Sequence, residues 1–224
     1  MKCLFAVVLL SAQLCSAETH KVLFLGNSIT KHGPKPDIGW TNNWGMAASA
    51  EEKDFVHIVT AGLAKKWGAR PDVMVRSLVD LERGYATYDA GEKLKEPVAF
   101  GADLIIVAIG ENVPRFKNDD EKARFADKLR EVLKQLNTGN HPAIVVRSCF
   151  WADPTKDRIL QSACAQSGGI FVDISPLAKD EANYARSERK IAHAGVANHP
   201  GDKGMEAIAD AILDAINKQG KGTP

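Results

Sequence analysis

The stretch Val22-Leu23-Phe24-Leu25, followed at once by Gly26-Asn27-Ser28-Ile29-Thr30, sets the reading of this chain. Four consecutive apolar residues, ended by Gly and Asn, suit a strand buried on both faces, because a half-exposed strand would alternate apolar and polar positions. Four more runs have the same character: Val73-Met74-Val75, Leu104-Ile105-Ile106-Val107, Ala143-Ile144-Val145-Val146 and Ile170-Phe171-Val172. Between and after them the period changes to that of a helix. Phe125, Leu129, Val132, Leu133 and Leu136 form one stripe closed by Gly139, and Met205, Ile208, Ala209, Ile212 and Ile216 form another near the C-terminus. Strands that alternate with helices require right-handed crossovers. The expected fold is therefore α/β: a three-layer α/β/α sandwich around a doubly wound, five-stranded parallel sheet, flavodoxin-like, with strand order 2-1-3-4-5.

The whole chain is consistent with one such domain. It has 224 residues, 45% of them hydrophobic and 25% charged, which is enough to build a core without metal or disulfide staples and excludes intrinsic disorder. There is no internal repeat, low-complexity tract or long linker. The first seventeen residues read as a signal peptide: Met1-Lys2 gives a positive start, Cys3 to Leu10 is an apolar run too short to anchor, and Cys15-Ser16-Ala17 suits signal peptidase. The expected division is 1–17 signal peptide and 18–224 a single exported, periplasmic or extracellular domain. A lipoprotein signal through Cys15 is disfavoured by Leu14, which stands where such signals want a small residue.

Lys2 is the one charged residue of 1–17, so its removal cancels the formal charge of +1. A neutral chain with interleaved signs has no field to collect a polyanion, so no nucleic-acid partner is expected, nor a membrane once the signal is cleaved. Cys149 and Cys164 remain as a pair, either as a disulfide or as two buried thiols. Between about Pro34 and Gly68 the first two strands are joined by a long connection holding Trp40, Trp44 and Trp67. It is either a loop bounding a ligand crevice or aromatic packing beneath a loop.

In a doubly wound sheet, ligands bind at the carboxyl ends of the strands. Three segments there carry chemistry: Gly26-Asn27-Ser28-Ile29-Thr30, Gly110-Glu111-Asn112-Val113 and, before the last helix, Asn198-His199-Pro200-Gly201-Asp202. Each is ordinary turn or cap material by itself. Together they provide a nucleophile, an oxyanion donor and a general base that can meet at one sheet edge.

These segments resemble the blocks of the SGNH/GDSL hydrolases. Gly26-Asn27-Ser28-Ile29-Thr30 is similar to the first block, Gly110-Glu111-Asn112 to the Gly-x-Asn block, and His199-Pro200 with Gly204 to Ala209 to the block that carries the catalytic histidine. The resemblance implies a serine esterase that acts on acyl or acetyl esters of carbohydrates or other small esters, with no cofactor and no metal. It implies Ser28 as nucleophile, His199 as base, and an oxyanion site formed by the Ser28 N–H, the Asn112 side chain and a second-block glycine, for which Gly84 is the candidate ahead of Gly45 and Gly62. The aspartate that the family places three residues before its histidine is here Val196. The group orienting His199 is then a backbone carbonyl, Glu111, Asp202, His193 or water, and Glu111 is the side chain preferred for it. An alternative is a non-catalytic carbohydrate-binding or interaction protein on the same fold, with Trp40 and Trp44 stacking on sugar rings. A nucleotide-binding protein lacks any phosphate-cradling glycine motif.

Overall fold

A computed structural model describes residues 19–219, so the signal peptide expected over 1–17 lies outside the described residues. Five strands form a single parallel sheet in the order β2-β1-β3-β4-β5: β1 Lys21–Gly26, β2 Asp72–Ser77, β3 Leu104–Ala108, β4 Ala143–Arg147 and β5 Ile170–Val172. This is the order expected from the sequence. The helices α1 Phe55–Trp67, α2 Val79–Gly84, α3 Ala90–Lys93, α4 Lys95–Ala99, α5 Asp119–Leu136, α6 Pro154–Gln166, α7 Ala185–Glu188, α8 Ala194–Ala197 and α9 Asp202–Gln219 connect the strands or follow them.

Strand alternation divides the core in two. Leu23, Leu25, Ile105, Val107 and Val146 face one side, under Phe125, Leu129, Val132, Leu133 and Leu136 of α5. Val22, Phe24, Leu104, Ile106 and Val145 face the other, under Phe55, Val59 and Leu63 of α1 and Met205, Ile208 and Ile212 of α9. Each such side chain contributes about 1.5–3 kcal/mol on burial, which is why these stripes rather than helix propensity fix where α5 and α9 lie. Local capping sets the helix starts. Asn118 accepts the Glu121 N–H at 2.9 Å ahead of α5, and Asp54 accepts the His57 N–H at 2.8 Å ahead of α1.

Cys149 and Cys164 are both buried and unpaired in the α5 side of the core, so of the two readings the free thiols hold. The long connection after β1 is anchored rather than loose. Trp40, 5% exposed, packs with Met46, Ala47, Ala185 and Val196 and meets Trp44 edge-on at 6.0 Å. No helix among the described residues is long and apolar enough to cross a membrane.

Candidate active site

Ser28 sits on a sharp turn just beyond β1. Gly26 permits it: a Cβ there would lie 1.9 Å from Thr30 Oγ1 and 2.9 Å from the Ala108 carbonyl oxygen. Asn27, 1% exposed, then locks the turn from within. Its carbonyl accepts from the N–H groups of Thr30 and Lys31, and its side-chain oxygen accepts from Ile29 N–H at 3.2 Å. The Ser28 carbonyl in turn accepts the Met46 N–H at 2.8 Å, which ties the long connection to the Ser28 turn. The Ser28 N–H itself has no hydrogen-bond partner among the described residues.

His199 arrives from the opposite end of the chain. Its position is fixed by its carbonyl, which accepts Ala185 N–H at 2.9 Å, and by the bridge between Tyr184 and Pro200. Its Nε2 lies 2.9 Å from Ser28 Oγ, and its Nδ1 lies 2.7 Å from the Gly195 carbonyl oxygen. A carbonyl only accepts, so Nδ1 carries the proton and Nε2 presents its lone pair to the Ser28 hydroxyl. Burial pushes the His199 pKa down, and the Gly195 carbonyl and Glu111 oppose this only in part. The imidazole is therefore neutral near pH 7, the form a general base requires. Trp151 stands edge-on to the ring at 5.3 Å.

Of the alternatives for orienting His199, a backbone carbonyl takes the position, and Glu111, the side chain preferred for it, does not. Its carboxylate, 3% exposed, accepts from Arg147 Nη1 at 2.6 Å, Phe150 N–H at 2.9 Å and Asn27 Nδ2 at 2.7 Å. Burial alone would raise its pKa, but Arg147 and these donors outweigh it and hold the carboxyl below the ordinary range. Its neighbour Asn112 points toward the crevice while Glu111 is drawn inward to the buried guanidinium, so Glu111 braces the loops instead of the imidazole. Asp202 is engaged elsewhere, accepting the Ser49 N–H at 2.7 Å, and His193 caps α8 by accepting the Val196 N–H at 3.3 Å. Val196 itself is 4% exposed and turned into the core with Trp40 and Met46.

Gly84 is likewise displaced from the role expected of it. It ends α2 and does not line the crevice, which this segment borders through Ser77 at the end of β2 and through Val79 and Arg83 of α2, alongside Ser28, Asn112 and His199. Val79 and Arg83 stand four residues apart on one face of the helix, and Gly84, one position further round, lies off that face.

Asn112 follows β3, on a turn opened by Gly110 at φ 124°, where a Cβ would meet Cys149 Sγ at 2.4 Å. A residue that sequence reasoning missed holds it. Glu82, fully buried in α2, accepts Asn112 Nδ2 at 2.9 Å, Asn112 N–H at 3.1 Å, Gly110 N–H at 2.7 Å and Asn27 Nδ2 at 3.1 Å. Burial and the nearby Glu111 carboxylate push its pKa up, against the pull of these donors. The amide of Asn27 thus bridges two buried carboxylates, and the first and third loops share one anchor. Asn112 spends one amide hydrogen on Glu82 and keeps the other for a ligand. The crevice above these groups has a volume of about 490 Å³, within the range of small-molecule sites.

A doubly wound parallel sheet in the order 2-1-3-4-5 is also the fold of proteins named as GDSL-like lipases, and the chain has that fold. Among solved structures it is similar to a protein named as a GDSL-like lipase from Bacteroides ovatus, at 13% identity and TM-score 0.58, covering 89% of this chain and 99% of that one. A second such protein, from Bacteroides uniformis, matches at 13% identity and TM-score 0.56 over 89% and 96%. An acetyl xylan esterase matches at 14% identity and TM-score 0.51 over 88% and 99%. No protein-family model and no curated protein matches the sequence.

Proposed function

We propose that this chain is a serine esterase that cleaves carboxylic esters, foremost acyl or acetyl esters of carbohydrates, through an acyl-enzyme at Ser28. The observation that carries this reading is the line Ser28 Oγ, His199 Nε2, His199 Nδ1, Gly195 carbonyl, with successive separations of 2.9 and 2.7 Å at its two hydrogen bonds. His199 takes the Ser28 proton as Oγ attacks the ester carbonyl and returns it to the leaving alcohol; a water then repeats the cycle to release the acid. The Ser28 N–H and the second Asn112 amide hydrogen receive the developing oxyanion, each such donor being worth about 2.7–4 kcal/mol of barrier.

The Gly195 carbonyl keeps the tautomer and ring orientation that an aspartate provides elsewhere, but as a neutral dipole it stabilises the imidazolium less. Kinship of fold with lipases and carbohydrate esterases supports the ester class, and the signal-like residues 1–17 support export. The test is release of acetate from 4-nitrophenyl acetate and acetylated sugars. Ser28→Ala should abolish turnover while leaving the fold unchanged by circular dichroism; undiminished hydrolysis in that variant would end the proposal.

A further inference from the structure

The crevice continues past Ser77. Two more hollows adjoin it along β2, one of about 220 Å³ and beyond it one of about 200 Å³. Lys31 borders all three; Ser77 belongs to the first two, and Asn43 and Val75 to the last two. They form a groove that leads from the nucleophile toward Arg70.

The groove exists because β2 is an edge strand that its covering helix only half covers. α1 sends Phe55, Val59 and Leu63 into the core beside β1 and β3, and only its flank, Val56, His57 and Thr60, reaches the groove. The face of β2 that carries Val73, Val75 and Ser77 is left partly open. Val73, at 37%, is the one large apolar side chain exposed among the described residues, and it lies on the groove floor. From Val73 to Ser77 the strand extends about 13 Å at its usual rise, several times the reach of an acetyl group.

The lining describes the occupant. The floor is apolar at Val73 and Val75, with Trp44 beside it, while the walls offer donors and acceptors of both kinds, including Asn43 and Lys31. The cations Lys31 and Arg70 are matched by the carboxylates Glu51 and Asp54, and Arg76, which lines the middle hollow, is paired with Glu96, so the groove has no excess of one sign to attract a polyanion. An alkyl chain would leave these polar groups desolvated without partners. A chain with C–H faces and hydroxyl edges fits both the floor and the walls.

We propose that this groove binds the unreacting main chain of a neutral linear glycan and so presents an ester on that chain to Ser28. The inference rests on the esterase reading and extends it: the site is selective for esters on polymers over small free esters.

Val73→Trp fills the floor at a position already exposed, and Asn43→Ala removes a wall donor; neither touches Ser28, His199 or Asn112. On O-acetylated xylan both variants should lower kcat/KM, Val73→Trp by about tenfold or more, while 4-nitrophenyl acetate changes by less than about twofold. Equal losses on the two substrates, or no loss on either, would overturn the groove. The Ser28→Ala protein provides a separate arm, in which calorimetric binding of xylohexaose, cellohexaose or mannohexaose is expected and Val73→Trp removes it. If the wild type hydrolyses no ester, the esterase reading falls, and the titration still decides the groove: no binding of any of the three hexasaccharides refutes it.

Discussion

Replacing Glu82 by Gln changes one atom of a buried carboxylate, and the structure dictates which. Oε1 accepts from three N–H groups, of Asn27, Gly110 and Asn112, at 2.7–3.1 Å, so the oxygen of the new amide must stay there. Its NH2 then occupies the place of Oε2, whose partner is Asn112 Nδ2 at 2.9 Å, and two donors face each other. Asn112 escapes by turning its amide over, which presents Oδ1 to the introduced NH2 and moves its own NH2 from its present position to the one now held by Oδ1, 3.4 Å from Arg83 Nη2. The oxyanion loses a side-chain donor, worth about 2.7–4 kcal/mol, or a fall of about 10²–10³ in kcat. KM should change little, because the ground-state carbonyl makes little use of that donor. The assay is steady-state hydrolysis of 4-nitrophenyl acetate by the wild type, Glu82→Gln, Asn112→Ala and the double variant. Because Glu82 acts through Asn112, its effect on kcat should vanish in the Asn112→Ala background. Additive losses, or a kcat close to wild type in a folded Glu82→Gln protein, would refute the reasoning.

Restoring the family's aspartate by Val196→Asp should not raise kcat, since that side chain points into the core beside Trp40; it should cost about 1.5–3 kcal/mol of lost burial plus several more for the buried charge, read by urea denaturation. A faster enzyme would show that Gly195 is not the acceptor. Because His199 must be neutral to accept the Ser28 proton and burial lowers its pKa below the ordinary 6.5, the acid limb of kcat/KM should fall below that value. A limb above pH 7 contradicts the geometry. Arg147→Leu leaves Glu111 buried without its cation and should destabilise the fold by about 3–5 kcal/mol, with the melting temperature as the readout. Reductant should leave the melting temperature of the wild type unchanged, because Cys149 and Cys164 are not joined.

The sheet was legible because every strand announces itself as a continuous apolar run, and strands alternating with helices imply a doubly wound sheet, of which 2-1-3-4-5 is a common order. That Ser28, Asn112 and His199 come to one crevice was legible because each stands at a strand or helix boundary where a turn must fall. Glu82 was not. It lies in a short helix beside Leu81, and its partners come from residues 27, 110 and 112, so nothing within its own segment distinguishes it from a solvated glutamate. Glu111 misled for the related reason that adjacency to Asn112 says nothing about direction, which is set by Arg147 from another strand. Gly84 drew notice as a glycine, although the residues of its helix that border the crevice are Val79 and Arg83.

The acceptor on His199 Nδ1 is a main-chain oxygen, and every residue type has one. No side-chain substitution at Gly195 can delete it; a Cβ there would meet the His193 ring at 2.9 Å and could act on the carbonyl only by shifting the turn. What such a site must preserve is therefore the course of the α8 turn and not the identity of any letter in it. A sequence pattern that demands an acid three residues before the histidine will pass over proteins built this way, and inactivating changes in them should be sought among the residues that shape the turn.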